Sequence, residues 1–519
     1  MSGPPGRAAL AGDGRPAEAP TVGRAGGHRS VVPAGSRPDA SGHRPTGHDG
    51  QPERLFATTV PLPATIGDRM GTTMPALAAH AELPLAGTGP WDAAGGPIRR
   101  SAVDIDAGFA LVGPRGGLCA LGAAATVALP EGLQAAAPTI RRHLAAIATV
   151  DPIGRPGSGP LAVGALPFDP TAPTSLVVPR LVLVRRAGGL AWATLVSHEP
   201  REGRDVLDAV DRVLTEAAVT RLASPGPAAA AASVVGWHLR PEEAAFEDMV
   251  RRALDAIASR QVGKVVLARS VEVTLDRPAD IAAVVEQLRR HEPASTVFLH
   301  RRAGRTFVGA TPELLVRRRH DQVLSHPLAG TARRSAGDAA ALTRRGAPPD
   351  RAAHAAAADA VADALRPWCR SLRVPPAPTP VVLATMVHLG TRITGTLRPA
   401  AESGALPDAW TLAGALHPTP AVAGVPTDAA LEVIGALEPT PRGPYAGPVG
   451  WMDRRGDGDV LVAIRSAMVE DRRAVAHAGV GIVAGSDPAR ELAETTTKLA
   501  VALGALGLDV GALATASPP

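Results

Sequence analysis

The sequence predicts an α+β chain, and three observations predict it. From about residue 100 to 200, short apolar runs alternate with Gly and Pro punctuation: AGFALVGPRG, LAVGALPFDP, SLVVPRLVLVRR and GLAWATLVS. Runs of this length, bounded by turn formers, read as the strands of a mainly antiparallel sheet. Two later segments instead carry helical spacing, Asp205–Leu222 (Val206, Val210, Val213, Leu214) and a stretch opened by Pro241 and reaching about Ser259. In the latter, Phe246, Met249, Val250, Ala253 and Ile257 share one face. The second half then mixes strand and helix signals again, with no internal repeat.

Taken in order, residues 1 to about 55 are rich in Gly, Pro, Ala, Arg and His and lack any hydrophobic period, so they read as a disordered extension. One large unit follows over about 60–510, divided into an N-terminal part (100–235) and a second part (240–505). Residues 224–234, SPGPAAAAASV, look like a linker or surface loop. Thr296–His300 and Arg305–Gly309 suggest a hairpin that Glu313–Arg317 continues. Ala352–Leu365 is an Ala-rich helix, Val381–Thr385 and Ile393–Leu397 are strands, and Asp428–Leu437 is a helix capped by Thr427. Val460–Val469 and Val475–Val483 alternate as two further strands. Asp487-Pro488 opens the last helix, with Asp as N-cap and Pro in the first turn.

Composition narrows the function. The 54 Lys and Arg are balanced by 49 Asp and Glu and are spread along the chain, and aromatics are only 3%. That pattern argues against a nucleic-acid surface. Two cysteines, Cys119 and Cys369, do not make a disulfide scaffold and suit a reducing cytoplasm. No apolar run reaches membrane-spanning length, and a monomer is the expected state.

Only two of the cations are lysines, Lys264 and Lys498. Where nearly every surface cation is arginine, a retained lysine marks a place where arginine cannot do the work. Arginine stays protonated in proteins, whereas a buried lysine can lose its proton and act as a base. Lys264 lies within QVGKVVLARS, an apolar, β-branched run in which desolvation lowers an amine's pKa toward neutrality. The second lysine lies on the last helix, where Glu491, Glu494 and Lys498 project from one face at spacings i, i+3 and i+7. Two carboxylates on one face form half of an oxygen-ligated Mg2+ site. The preceding AGVGIVAGS is a small-residue stretch that lets a ligand approach backbone amides.

Eight ordered segments then resemble the chorismate-utilising enzymes, most closely the isochorismate synthases: QVGKVVLARS, FVGATPELLVRR, HPLAGTARR, MVHLGTRITG, LHPTPAVAGVP, LEPTPRGPYAGPVGW, VAIRSAMV and AGVGIVAGSDPARELAETTTK. They span about 260–500, with weaker likeness back to about 105. The resemblance implies a single domain of two packed, mainly antiparallel sheets with outer helices. It also implies reversible hydroxyl exchange on chorismate, with water entering at C2 and the C4 hydroxyl leaving to give isochorismate. By the same resemblance Lys264 activates the water and Glu313 is the general acid. Arg465 and Lys498 grip the substrate, Gly330, Thr331, His388, Tyr445 and Gly479 line the pocket, and Glu494 and Glu491 hold Mg2+. Anthranilate synthases carry glutamine where this chain has Lys264. Aminodeoxychorismate synthases have a nucleophilic lysine at the position of Ala329. Salicylate synthases share the lysine, but HPTPAV at 417–422 looks more like the isochorismate-synthase form. The product's destination, whether siderophore, menaquinone or salicylate, is not written in these letters.

One departure stands out. A family helix beginning roughly K-D-R-x-E-H supplies a further metal-binding glutamate, and this chain reads Pro349-Asp350-Arg351-Ala352-Ala353-His354. Ala353 occupies the glutamate's place, and Asp350 is three residues earlier on the same face. A hard cation thereby loses a ligand, which leaves a catalytically impaired, chorismate-binding homologue as the alternative reading.

Overall fold

A computed structural model describes residues 54–70, 107–133, 136–223, 232–333, 348–401 and 404–508. The expected disorder before residue 54 and most of the 224–234 loop lie outside the described residues.

Among the described residues, twenty strands join in one hydrogen-bonded network, and three more form a separate small sheet. Apart from Phe56–Pro61 beside Ala148–Val150, every ladder among the described residues is antiparallel. The network resolves into two runs. One runs Phe56–Pro61, Ala191–Ser197, Thr174–Arg186, Gly116–Leu129, Gly108–Gly113, Thr296–Arg302, Arg305–Thr311, Ser466–Glu470, Arg473–Val483, Lys264–Leu275 and Val234–Arg240. The other runs Leu161–Ala165, Pro448–Asp453, Gly458–Val462, Leu314–Arg319, Gln322–His326, Ile393–Leu397 and Cys369–Arg373. Among the described residues, a single pair, Val163 opposite Val177, links them.

Side chains from both runs share a dry layer: Phe298, Phe307 and Trp192 from the first meet Val449, Trp451 and Leu461 from the second. Helices cover the outer faces. Val206 and Val210 of Gly203–Ala223, Leu288 of Ile281–His291 and Leu499 of Pro488–Ala505 pack with Val271, Val273 and Ala476. Phe246 of Glu243–Ala258, Leu365 of Pro348–Leu365 and Trp410 of Ala409–Leu416 join the cluster that holds Val316, Val323 and Ile393. The α+β architecture of two packed antiparallel layers with helices outside is therefore the observed one.

Three local expectations are corrected. Leu314–Arg319 does not extend the hairpin of Thr296–Arg302 and Arg305–Thr311; it pairs with Gln322–His326 and Gly458–Val462 in the other layer. Pro312 has no amide proton to continue a ladder, and the chain changes sheets there, leaving Glu313 at the crossover. The single strand expected over Val460–Val469 is two, Gly458–Val462 and Ser466–Glu470, because Arg465 between them adopts φ +55°. The Thr427–Leu437 helix has Pro426 at its N-cap, and no side chain caps it. Asp487 does cap the last helix, accepting the Arg490 amide proton at 2.8 Å.

Candidate active site

The crossover, the broken strand and the last helix converge on one cavity of about 200 Å³. Lys264, Glu313, Gly330, Thr331, His388, Tyr445, Arg465, Gly479, Glu491, Glu494 and Lys498 all line it. Each element contributes for a local reason. Lys264 opens its strand between Val425 on one side and Val483 on the other. Gly481, two positions along the neighbouring strand from Val483, clears its path, since a Cβ there would lie 2.8 Å from the lysine Cε. Thr331 and His388 face each other in the small sheet of Leu328–Arg333, Met386–Gly390 and Thr379–Val382.

Burial sets the protonation of the first pair. Lys264 is 7% exposed, and desolvation brings its amine down to about 8, helped by the Lys498 charge and opposed by Glu313 and Glu494. Glu313 is 4% exposed, and desolvation raises it to about 7. The Leu328 amide, which hydrogen-bonds the carboxyl, pulls the other way, as do the charges of Lys264, Arg465 and Lys498. An amine and a carboxyl that both titrate near neutrality suit a base and an acid sharing one reaction.

Arg465 provides the cationic wall. Its Nη2 donates to His388 Nε2 at 2.9 Å, which makes that nitrogen the acceptor and leaves the proton on Nδ1. His388 Nδ1 then donates to the Gly330 carbonyl at 3.2 Å. Desolvation first, and the Arg465 charge second, hold His388 well below the usual histidine range, so it is neutral. Arg465 Nη1 is buried with no hydrogen-bond partner, a donor free for an anionic ligand.

The last helix supplies the remaining charges. Lys498 Nζ donates to the Gly479 carbonyl at 2.9 Å and pairs with Glu494 Oε1 at 2.7 Å. Burial by itself raises the Glu494 pKa, but Lys498, Thr331 and Arg465 outweigh it and the net shift is downward. Glu491 is pushed up to about 7 by burial and by the Glu494 charge, with Ser486 opposing. Among the described residues, no group of three or more His, Cys, Asp and Glu side chains is arranged to hold a metal ion. Asp350 and Ala353 fall on the Pro348–Leu365 helix, and their side chains lie outside the described residues. His354 on the same helix is buried, its Nε2 at 2.7 Å from Thr391 Oγ1.

Two further cavity residues, His477 and Arg442, and one buried carboxylate outside the lining, Glu292, carried no readable signal in the sequence. His477 stacks on Tyr445 with centroids 5.2 Å apart, and burial lowers it to about 4. Tyr445 is raised to about 12 by burial, and its oxygen accepts the Gly479 amide proton. Arg442 also lines the cavity. Glu292, buried at the C-cap of Ile281–His291, is the carboxylate whose charge acts most strongly on Arg465.

Residues 114–507 match the family described as chorismate binding enzyme. This chain belongs to that family. The isochorismate synthase DhbC of Bacillus subtilis is 39% identical over 364 residues, 68% of this chain and 82% of its own length. A putative isochorismate synthase MenF of Mycobacterium tuberculosis is 38% identical over 419 residues, 77% of this chain and 96% of its own. Among solved structures, a putative 2,3-dihydroxybenzoate-specific isochorismate synthase, DhbC from Bacillus anthracis, superposes with a TM-score of 0.62 at 29% identity. That match covers 78% of this chain and 97% of the other. In this chorismate-binding enzyme, no helix among the described residues is long and apolar enough to cross a membrane.

Proposed function

We propose that the chain is an isochorismate synthase that converts chorismate to isochorismate. The observation that carries this reading is the pairing of Lys264, lowered to about 8, with Glu313, raised to about 7, on one cavity. Neutral Lys264 takes a proton from water as the oxygen bonds to C2. The double bonds shift, the C4–O bond breaks, and protonated Glu313 gives its proton to the departing hydroxyl. One water enters and one leaves, so the net change is an isomerisation. Arg465, through its unpaired buried donor, and Lys498 hold the substrate's carboxylates and keep the ring fixed between base and acid. His388, Gly330 and Thr331 fix Arg465 and the floor around it.

Mg2+ belongs to this proposal. Glu491 and Glu494 are hard oxygen donors on adjacent turns, and Mg2+ is commonly held by one or two carboxylates together with waters and substrate oxygens. The donor set fits such a site, and the cation would offset the carboxylate charge of the substrate. The second reading, a chorismate-binding homologue with little turnover, is favoured by Ala353 in the place of a glutamate. Salicylate formation, in which pyruvate is also lost, is the remaining alternative.

A coupled assay of the purified chain with chorismate, with and without Mg2+, separates these readings. Isochorismate without pyruvate release supports the proposal. Substrate binding with no turnover at any Mg2+ concentration favours the impaired homologue, and pyruvate release favours salicylate synthesis.

A further inference from the structure

Lys264 stands at the start of a strand whose outer edge has a gap. Along that edge Gly424 and Val425 pair with Val265 and Lys264, and Val234–Arg240 takes over only from Ser270 onward. Between them the Val266 amide donates to the Ala423 carbonyl at 2.7 Å. The next two edge groups, the Val266 carbonyl and the Ala268 amide, meet no strand among the described residues. They meet two side chains instead. Arg442 Nη2 donates to the Val266 carbonyl at 2.8 Å, and Glu438 Oε1 accepts from the Ala268 amide at 2.8 Å. Arg442 Nη1 also donates to the Val422 carbonyl at 2.7 Å, and Arg442 pairs with Glu438 at 2.5 Å. The two side chains are 3% and 6% exposed, and the guanidinium lies 4.2 Å from the centroid of the Phe168 ring. An ion pair buried this deeply costs desolvation that is repaid only where its remaining hydrogen bonds are made.

We infer that Arg442 and Glu438 are positioning residues: they complete the missing rung of the Lys264 strand and thereby fix the lysine amine in the cavity. The inference rests on the proposed function above. It assigns the pair a role separate from gripping substrate, although Arg442 borders the cavity, because its donors are taken up by Val266, Val422 and Glu438. A lysine at 442 keeps the charge but lacks the fork that reaches two carbonyls and a carboxylate together.

The test compares Arg442→Lys and Glu438→Gln with the wild type and with Asp151→Asn. The last variant weakens the Asp151–Arg455 pair (2.7 Å), whose residues do not line the cavity. Arg442→Lys is expected to lower kcat on the order of tenfold to a hundredfold with KM for chorismate nearly unchanged. Glu438→Gln, which preserves shape and an acceptor for the Ala268 amide, gives a smaller loss of the same kind and serves if Arg442→Lys does not fold. Asp151→Asn lowers Tm and leaves kcat alone. A second readout needs no turnover: with only two lysines in the wild-type chain, pH-dependent amine labelling and peptide mapping follow Lys264 directly. Its midpoint near pH 8 should move toward the usual lysine value of 10.5 in both pair variants. Wild-type kcat in both variants, or a KM rise in place of the kcat loss, overturns the inference. So does an unmoved labelling midpoint. A wild-type chain that never turns over chorismate refutes the proposed function instead, and the labelling midpoint still decides the role of the pair.

Discussion

Lys264 and Glu313 line the same cavity, and each shifts the other's proton affinity against the direction imposed by burial. Desolvation lowers the lysine and the Glu313 charge raises it; desolvation raises the glutamate and the Lys264 charge lowers it. The two therefore meet near neutrality, about 8 for the amine and about 7 for the carboxyl. The reactive form needs the amine neutral and the carboxyl protonated, so only a minority of molecules is correctly protonated at any pH. The pH profile of kcat/KM is expected to be a bell with its maximum between pH 7 and 8, and its two limbs report the pair rather than either residue. A flat profile from pH 6 to 9 contradicts this assignment.

Charge neutralisation of the acid trades activity for stability. The folded state holds Glu313 at about 7, above its ordinary 4.5, so it binds the proton more tightly than the unfolded chain does. Stability from this group is full below pH 4.5 and is lost as pH rises through 7. Glu313→Gln is expected to abolish most turnover while stabilising the fold at pH 8, by an amount on the order of 3 kcal/mol at most. The gain should vanish near pH 4.5. Denaturant melts at the two pH values check it; equal gains at both would show that burial of the charge is not the cause.

Gly481 is a steric prediction. A Cβ there would lie 2.8 Å from Lys264 Cε and 3.5 Å from Nζ, the far end of a flexible side chain. Gly481→Ala should fold normally, because the lysine can move aside. It should lower kcat by roughly tenfold to a hundredfold, because the amine is what moves. A variant with wild-type kcat would mean that the amine's position is not critical.

Arg465 is expected to act mainly on binding. Arg465→Lys removes the fork that engages His388 Nε2 with one nitrogen and leaves a buried donor free with the other. KM for chorismate should rise by about tenfold or more, with a smaller change in kcat. Steady-state kinetics reads both, and an unchanged KM removes Arg465 from the substrate grip.

Much of this site was legible in the sequence because its letters are chemically specific. The two lysines stood out against an arginine background, the i, i+3, i+7 face of the last helix is a local pattern, and the ordered motifs carried the rest. What was not legible depends on tertiary placement. Glu438 and Arg442 are separated by two prolines beyond a helix end, and nothing local shows that they pair or that the pair is buried against an open strand edge. The apolar alternation of 460–469 hides the break at Arg465, whose positive φ turns the chain at the cavity. The crossover at Pro312 reads locally as one more turn of a hairpin, yet it is what puts Glu313 between the two layers.

The central claim is that Lys264 delivers water to C2 of chorismate, and its most direct measurement is the fate of solvent oxygen. The purified chain, supplied with chorismate and Mg2+ in heavy-oxygen water, should yield isochorismate carrying one solvent-derived oxygen at C2, and Lys264→Ala should yield none. Absence of isochorismate from the wild-type chain, unlabelled product, or labelled product from Lys264→Ala at the wild-type rate would contradict the account.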